Sequence, residues 1–72
     1  MVWIYKTTIK NLRQKHSVAT ALNSIVGTNH WNIDLEDADK ILRLEASKPK
    51  VKQVEYFLKM AGFNYENLPY QL

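Results

Sequence analysis

The spacing of apolar residues changes from a two-residue period to helical spacing twice along this chain, and this alternation constrains the fold most. Residues 2–10 alternate and are rich in β-branched and aromatic side chains, which predicts a strand. Its two faces carry Trp3, Tyr5, Thr7 and Ile9 on the predicted buried side, and Ile4, Lys6, Thr8 and Lys10 on the other. Helical spacing then continues to Gly27, a residue suited to ending a helix. The apolar positions of this helix are Val18, Ala21, Leu22 and Ile25.

A pair of strands follows the first helix. Residues 30–35 alternate, residues 36–39 form a polar turn, and residues 40–46 alternate again. The inward positions are Trp31, Ile33 and Leu35 in the first strand, and Leu42, Leu44 and Ala46 in the second. Because the connection is short, we expect the two strands to pair as an antiparallel hairpin.

A second helical pattern begins at Ser47 or Lys48, with Pro49 in its first turn, where a missing amide hydrogen costs little. It ends at Gly62, as the first helix ends at Gly27. Its apolar stripe consists of Val51, Val54, Leu58 and Ala61, widened by Phe57. The weak alternation of residues 63–68 predicts a short strand at the edge of the sheet.

The element order is therefore βαββαβ within one domain, residues 1–72. Each strand–helix–strand half requires a right-handed crossover, so both helices are expected on one face of a four-stranded antiparallel sheet. The predicted fold class is α+β, a ferredoxin-like sandwich with strand order 4-1-3-2. The other face of the sheet is left open to solvent or to a partner.

The first helix has two candidate starting points. Asn11 is a strong N-cap residue, and Gln14 stands where a capping box places its second member. In that arrangement the Asn11 side chain accepts from the amide of Gln14, and Gln14 reaches back to the amide of Asn11. Ser17 is the rival cap and predicts a shorter helix; we favour Asn11.

Five segments stand in an order and spacing that is informative. Residues 6–10 lead into the first loop, 21–27 close the first helix, 31–35 and 39–42 form the hairpin, and 61–63 turn into the last strand. In this arrangement the chain resembles the heavy-metal-associated domain family, the small copper- and zinc-handling module of metallochaperones and metal-pumping ATPases. The resemblance covers most of the chain and implies the same ferredoxin-like fold.

The family's metal site depends on a Cys-x-x-Cys pair, whose positions fall on Asn11 and Gln14 with Leu12 and Arg13 between them. The chain contains no cysteine. Carboxamides do not become thiolates and are poor ligands for Cu(I), and Arg13 adds a repelling positive charge. We therefore expect the fold without the metal site, and no metal or other cofactor.

Other ligands and catalytic groups do not form a recognised motif. The remaining candidate ligands are Met1, His16, His30 and Met60, and none of them have metal-motif spacing. We expect His16 and His30 to lie at opposite ends of the fold. No phosphate-binding glycine motif, catalytic triad or paired carboxylates are evident, so the chain is predicted not to be an enzyme.

The composition is that of a small globular domain, with 46% hydrophobic and 24% charged residues. It excludes disordered and low-complexity classes. No stretch approaches the roughly 20 apolar residues of a membrane span, and the N-terminus lacks the features of a signal peptide. We expect no membrane association and a cytoplasmic location.

Charge is distributed unevenly along the chain, whose net charge is +3. The first sixteen residues hold Lys6, Lys10, Arg13 and Lys15 without an acid, and the segment 34–39 holds Asp34, Glu36, Asp37 and Asp39. We expect these to be two solvated regions at opposite ends of the domain.

Three functional hypotheses remain. The first is a protein-interaction or structural module, or a homodimer, motivated by large apolar residues outside the inward pattern: Ile4, Ile41, Tyr56 and Tyr70. The second is an anion or nucleic-acid contact formed by Lys10, Arg13, Lys15 and His16 at a helix N-terminus; the missing RNP-like motif disfavours nucleic acid. The third is divergent metal binding or a role accessory to metal transport. We favour the first.

Overall fold

The first strand of the chain is one of the two inner strands of the sheet. The structure is a computed structural model, and it describes residues 1–69. Its elements are β1 (Val2–Thr7), α1 (Leu12–Val26), β2 (Trp31–Asp34), β3 (Ile41–Glu45), α2 (Lys48–Met60) and β4 (Tyr65–Asn67). The predicted βαββαβ order is confirmed. Each strand is shorter than its predicted segment, because the alternating pattern continues into the flanking turns.

All four strands pair antiparallel, in the order β2-β3-β1-β4. This is the predicted order counted from the other edge, and the fold is ferredoxin-like. The register sets Tyr5 opposite Leu42 in β3 and opposite Asn67 in β4. The C-terminal end of β1 therefore lies beside the β2–β3 turn, at the end of the sheet where α1 begins.

The core lies between the sheet and the two helices, which contact each other. It consists of Tyr5, Ile9, Val18, Leu22, Val26, Ile33, Leu42, Leu44, Val51, Val54 and Leu58. These residues come from the predicted inward faces, apart from Val26, so the sidedness of the strands and helices is confirmed. Neither helix within residues 1–69 has the length and apolar content that a membrane crossing requires.

Two residues differ from the predicted burial. Ile4, expected on the open face, is only 3% exposed. It lies in the middle of β1, an inner strand, opposite Arg43 of β3, and its carbonyl accepts from the amide of Leu68 on the other side. Ala61, expected in the stripe of α2, is exposed, because it caps the helix after Met60 and no longer follows the helical stripe.

Candidate functional site

The start of α1 is the place where the family resemblance locates its metal ligands, and in this chain it is a helix cap. Asn11 has extended backbone angles, φ −150° and ψ 169°, and its Oδ1 accepts from the amide of Gln14 at 2.8 Å. Asn11 is thus confirmed as the N-cap. Ser17 lies within the helix and donates its hydroxyl to the Gln14 carbonyl at 2.7 Å.

The return bond of the capping box differs from the prediction. The Oε1 of Gln14 accepts from the amide of Lys10 at 2.9 Å and not from the amide of Asn11. Lys10 stands one residue before the N-cap. The Gln14 side chain therefore bonds the loop that precedes the helix and not the cap residue itself. Both carboxamide oxygens are consequently bonded to backbone amides.

The loop before this cap is attached to two neighbouring segments. The Thr7 hydroxyl donates to the carbonyl of Lys40 at 2.7 Å and accepts from the amide of Ile9 at 3.2 Å. On the other side, the Thr8 hydroxyl accepts from the amide of Asn64 at 2.9 Å. The candidate site is therefore held by the β2–β3 turn and by the segment entering β4.

The four predicted anion or partner contacts divide into two groups. Lys10, Arg13 and His16 are exposed around the first turns of α1. Lys15 is half-buried, and its Nζ donates to the Ile33 carbonyl at 3.2 Å and approaches Asn32 Oδ1 at 3.4 Å. The ammonium group of Lys15 is thus directed to β2, away from the other three.

This contact of Lys15 lies on the outer edge of the sheet. The His30 carbonyl accepts from the amide of Glu45 on β3. Because bonding groups alternate along an antiparallel pair, the backbone groups of Ile33 point away from β3, toward the open edge. A lysine at such an edge hinders pairing with a strand of another molecule. The ammonium group of Lys15 accordingly bonds to the β2 edge.

The acidic turn lies beside the basic first loop, and the expectation of opposite ends is wrong. Lys6 Nζ is 3.5 Å from Asp39 Oδ1, and the amide of Thr7 donates to the Asp39 carbonyl. The pairing of β1 with β3 brings the end of β1 to the β2–β3 turn. The sequence separation of the two charged segments therefore does not describe their spatial separation.

Two of the carboxylates of the acidic turn, those of Asp34 and Asp37, accept hydrogen bonds within that turn. Asp34 Oδ1 accepts from the amides of Glu36 and Asp37, and Asp37 Oδ1 accepts from the amide of Asp39. Among residues 1–69, no group of three or more His, Cys, Asp or Glu side chains is arranged to hold a metal ion. The turn is a hydrogen-bonded structure.

His30 lies at the other end of the sheet, next to the end of α1. Its Nδ1 is 3.1 Å from Glu45 Oε1, and its ring packs against Gly27. His16 lies near the start of α1. The structure therefore does not bring the two histidines together.

A partly buried polar pair between β1 and α2 was not anticipated from the sequence. The Tyr5 hydroxyl donates to Glu55 Oε2 at 2.5 Å, and the Tyr5 ring meets that of Tyr65 edge-on, with centroids 5.8 Å apart. Burial, together with the hydrogen bond and the negative charge of Glu55, raises the pKa of Tyr5 well above its usual value. The available signal was an acidic residue directly beside the apolar stripe of α2.

The aromatic residues of the strands all belong to the helix side of the sheet. Trp3 Nε1 donates to the carbonyl of Ala46 at 3.0 Å, and Trp31 Nε1 donates to Asn23 Oδ1 at 2.6 Å. Tyr5 and Tyr65 pack against the same core. Within residues 1–69, the open face of the strands carries aliphatic, polar and charged residues and offers bases no aromatic stacking platform.

The comparisons with known proteins bear on the fold. No protein-family model and no curated protein matches the chain. The solution structure of the N-terminal domain of ZntA in the Zn(II)-form is similar, with a TM-score of 0.76 and 19% sequence identity over 99% of this chain and 96% of that chain. This likeness supports the ferredoxin-like fold that the resemblance to heavy-metal-associated domains implies.

Proposed function

We propose that residues 1–72 form a single non-catalytic domain of the heavy-metal-associated type that acts as a cytoplasmic protein-interaction module and has lost the family's metal site. The observation that carries this proposal is the bonding of Asn11 and Gln14. Each places its side-chain oxygen on a backbone amide, at 2.8 and 2.9 Å. At these two positions the chain stabilises a helix start where the family binds an ion.

The chemistry of these side chains supports the loss of the site. Soft metal ions such as Cu(I) are held by thiolates, and a neutral carboxamide supplies neither charge nor sulfur. Arg13 stands between the two positions and is exposed beside them, so its guanidinium disfavours an approaching cation. The structure of the ZntA domain is of its Zn(II)-form. The proposal is that the present chain has a similar fold and does not bind Zn(II).

The exposed apolar side chains support an interaction role. Leu12, Tyr56 and Met60 are 74%, 67% and 68% exposed. Large apolar and aromatic groups in contact with water are common at interfaces. Ile4 no longer supports the hypothesis because it is buried, Ile41 is half-buried, and Tyr70 lies outside the described residues.

Metal titration followed by amide chemical shifts tests the loss of the site. We expect Zn(II), Cu(I) and Ni(II) to leave the signals of residues 10–16 in place. A double variant, Asn11→Cys with Gln14→Cys, restores two thiolates on the same scaffold and is expected to bind Cu(I). Asn11→Ser with Gln14→Ser controls for loss of the amides. Localised shifts in the unaltered protein, at micromolar affinity or better, would instead support the alternative of a divergent metal-binding or metal-transport accessory protein.

Sedimentation and partner capture test the interaction role. We expect either a concentration-dependent homodimer or a specific protein partner. A strict monomer that captures no protein would remove the support for this role. The exposed side chains of Lys10, Arg13 and His16 support a second proposal, an anion contact at the start of α1. That proposal requires salt-sensitive binding of single-stranded oligonucleotides or phosphate at low ionic strength.

A further inference from the structure

The outward face of α2 combines positive charge with exposed apolar groups. Its core-facing side is formed by Val51, Val54 and Leu58. The side opposite to this stripe is the outward face, which consists of Lys52, Gln53, Tyr56, Lys59 and Met60, with Lys48 at its margin; all six are exposed. Tyr56 is four residues from Lys52, three from Lys59 and four from Met60, so its side chain neighbours all three on the helix surface.

The charge of this helix is strongly one-sided. α2 carries Lys48, Lys50, Lys52 and Lys59 against the carboxylate of Glu55. Glu55 is turned toward the sheet: its Oε2 accepts from Tyr5, and its side chain is 19% exposed. Its other oxygen is 3.8 Å from Lys52 Nζ, whose side chain remains 67% exposed. The outward face of α2 therefore presents ammonium groups to solvent and selects for a negatively charged partner.

The apolar groups of the outward face stand between these charges. Tyr56 and Met60 are one turn apart and are 67% and 68% exposed. The core does not require them, since Val51, Val54 and Leu58 already fill the inward side. Tyrosine and methionine adapt well to a docked surface, and tyrosine is frequent among the residues that dominate binding energy.

We infer that the outward face of α2 docks an acidic protein segment whose carboxylates alternate with apolar side chains. The inference rests on the proposed role as an interaction module and names the surface and the chemistry of its partner. The carboxylates pair with Lys52 and Lys59, and the apolar side chains of the partner cover Tyr56 and Met60.

Three other occupants fit this face less well. A helix bound to a membrane surface inserts a broad apolar face, whereas the apolar side of α2 is packed in the core. Single-stranded nucleic acid requires several stacking aromatics, and this face offers Tyr56 alone. A second copy of the chain offers its acidic turn, but Asp34 and Asp37 accept from amides of that turn, and the Asp39 carboxylate is 3.5 Å from Lys6 of its own chain.

A titration of the labelled protein with defined probes tests the inference. The main probe is a synthetic peptide in which Glu alternates with Leu and includes one Trp, and the matched probe replaces Leu and Trp with Ser. We expect the first peptide to shift amide signals in α2 and the second to bind about tenfold more weakly. Vesicles of phosphatidylcholine with phosphatidylserine and a single-stranded oligonucleotide are tested in parallel.

Variants on two helices assign the surface. Tyr56→Ala and the pair Lys52→Glu with Lys59→Glu are each expected to weaken binding of the main peptide about tenfold. Lys10→Glu with Arg13→Glu, the same charge reversal at the start of α1, is the matched control and is expected to change affinity by about twofold or less. These side chains are exposed, and circular dichroism verifies that every variant is folded.

Each contrary result has a distinct meaning. If the peptide shifts signals at the start of α1, or if only the Lys10 and Arg13 pair weakens binding, the assignment to α2 is overturned while the interaction role stands. Binding to vesicles or to the oligonucleotide without binding to the peptide overturns the choice of partner. No binding of any probe overturns the inference, and the metal titration described above then decides separately whether the proposed function also fails.

Discussion

Asn11 is the residue at which the start of α1 is decided. Its side chain bonds the amide of Gln14, one of the first helical amides that the helix itself cannot satisfy. We expect Asn11→Ala to lower the free energy of unfolding by about 1 kcal/mol, the typical contribution of such a cap. Urea unfolding followed by circular dichroism measures the change. Asn11→Asp preserves the cap and is the control; equal losses in both variants would show that the side-chain oxygen is not what stabilises α1.

Ionisation of Tyr5 makes the free energy of unfolding depend on pH in the alkaline range. Its raised pKa means that the folded state holds the hydroxyl proton more tightly than the unfolded chain, whose tyrosine ionises near 10. The stabilisation is complete below about pH 10 and is lost as the pH rises toward the folded pKa, at up to about 1.4 kcal/mol per pH unit. Tyr5→Phe should therefore lower stability by about 1 kcal/mol near neutral pH.

Tyr5→Phe should no longer destabilise the protein at alkaline pH. Above about pH 10 we expect the stability difference between the wild type and Tyr5→Phe to shrink and then reverse, because only the wild type has this phenol to ionise on unfolding. Urea unfolding at about pH 7 and about pH 11 measures the difference. Tyr56→Phe, at an exposed position, is the control. A constant difference across this range would contradict a raised pKa at Tyr5.

The residue patterns predicted which side chains of a strand or helix are buried together better than they predicted individual hydrogen bonds. Burial of Tyr5, Leu42 and Leu58 follows from periodicity, because the residues of one face of a strand or helix are buried or exposed together. The partner of Gln14 and the Tyr5–Glu55 hydrogen bond depend on where one loop and one helix come to rest on the sheet. These distances are set by tertiary packing and have no local signature in the sequence.

At the scale of the elements, each helix is followed closely by a glycine, but the two glycines have different surroundings. Gly27 has φ 98° and ψ 149°, a combination outside the left-handed helical region, and a Cβ added there would lie 2.8 Å from Cδ2 of His30. Gly62 has φ 90° and nothing within 4 Å of an added Cβ. Both positions disfavour an L-residue, and only Gly27 also has a neighbour in the way.

This difference predicts unequal effects of one substitution. We expect Gly27→Ala to cost about 2–3 kcal/mol, from the backbone conformation and the displaced His30 ring, and Gly62→Ala about 1 kcal/mol. Denaturant midpoints of the two variants measure the ratio under identical conditions. His30→Ala combined with Gly27→Ala separates the two causes, because it removes the ring and leaves the backbone strain. Equal losses of unfolding free energy for Gly27→Ala and Gly62→Ala would show that the His30 ring moves aside without destabilising the fold.

At the scale of the whole molecule, the β2–β3 turn meets the end of β1, which is distant from it in the sequence. The β2–β3 turn is held to the loop that starts α1 by two kinds of contact. The Thr7 hydroxyl bonds both the carbonyl of Lys40 and the amide of Ile9, and Lys6 pairs with Asp39. The two-residue period predicted the strands and their order. The meeting point itself follows from the register between β1 and β3, which periodicity fixes only to within steps of two residues.

Thr7 therefore couples the candidate site to the rest of the sheet. It is 7% exposed, and its hydroxyl donates to Lys40 and accepts from Ile9. Thr7→Val keeps the shape but leaves a carbonyl and a buried amide unsatisfied, which should cost about 1–3 kcal/mol. Because both lost partners lie in loops, we expect hydrogen exchange to accelerate first in segments 8–11 and 36–40, before the core strands. Thr7→Ser retains the hydroxyl and should protect both segments. If Thr7→Val accelerates exchange uniformly along the chain, the hydroxyl contributes only to global stability, and the loop before α1 is held by Gln14 and Thr8 instead.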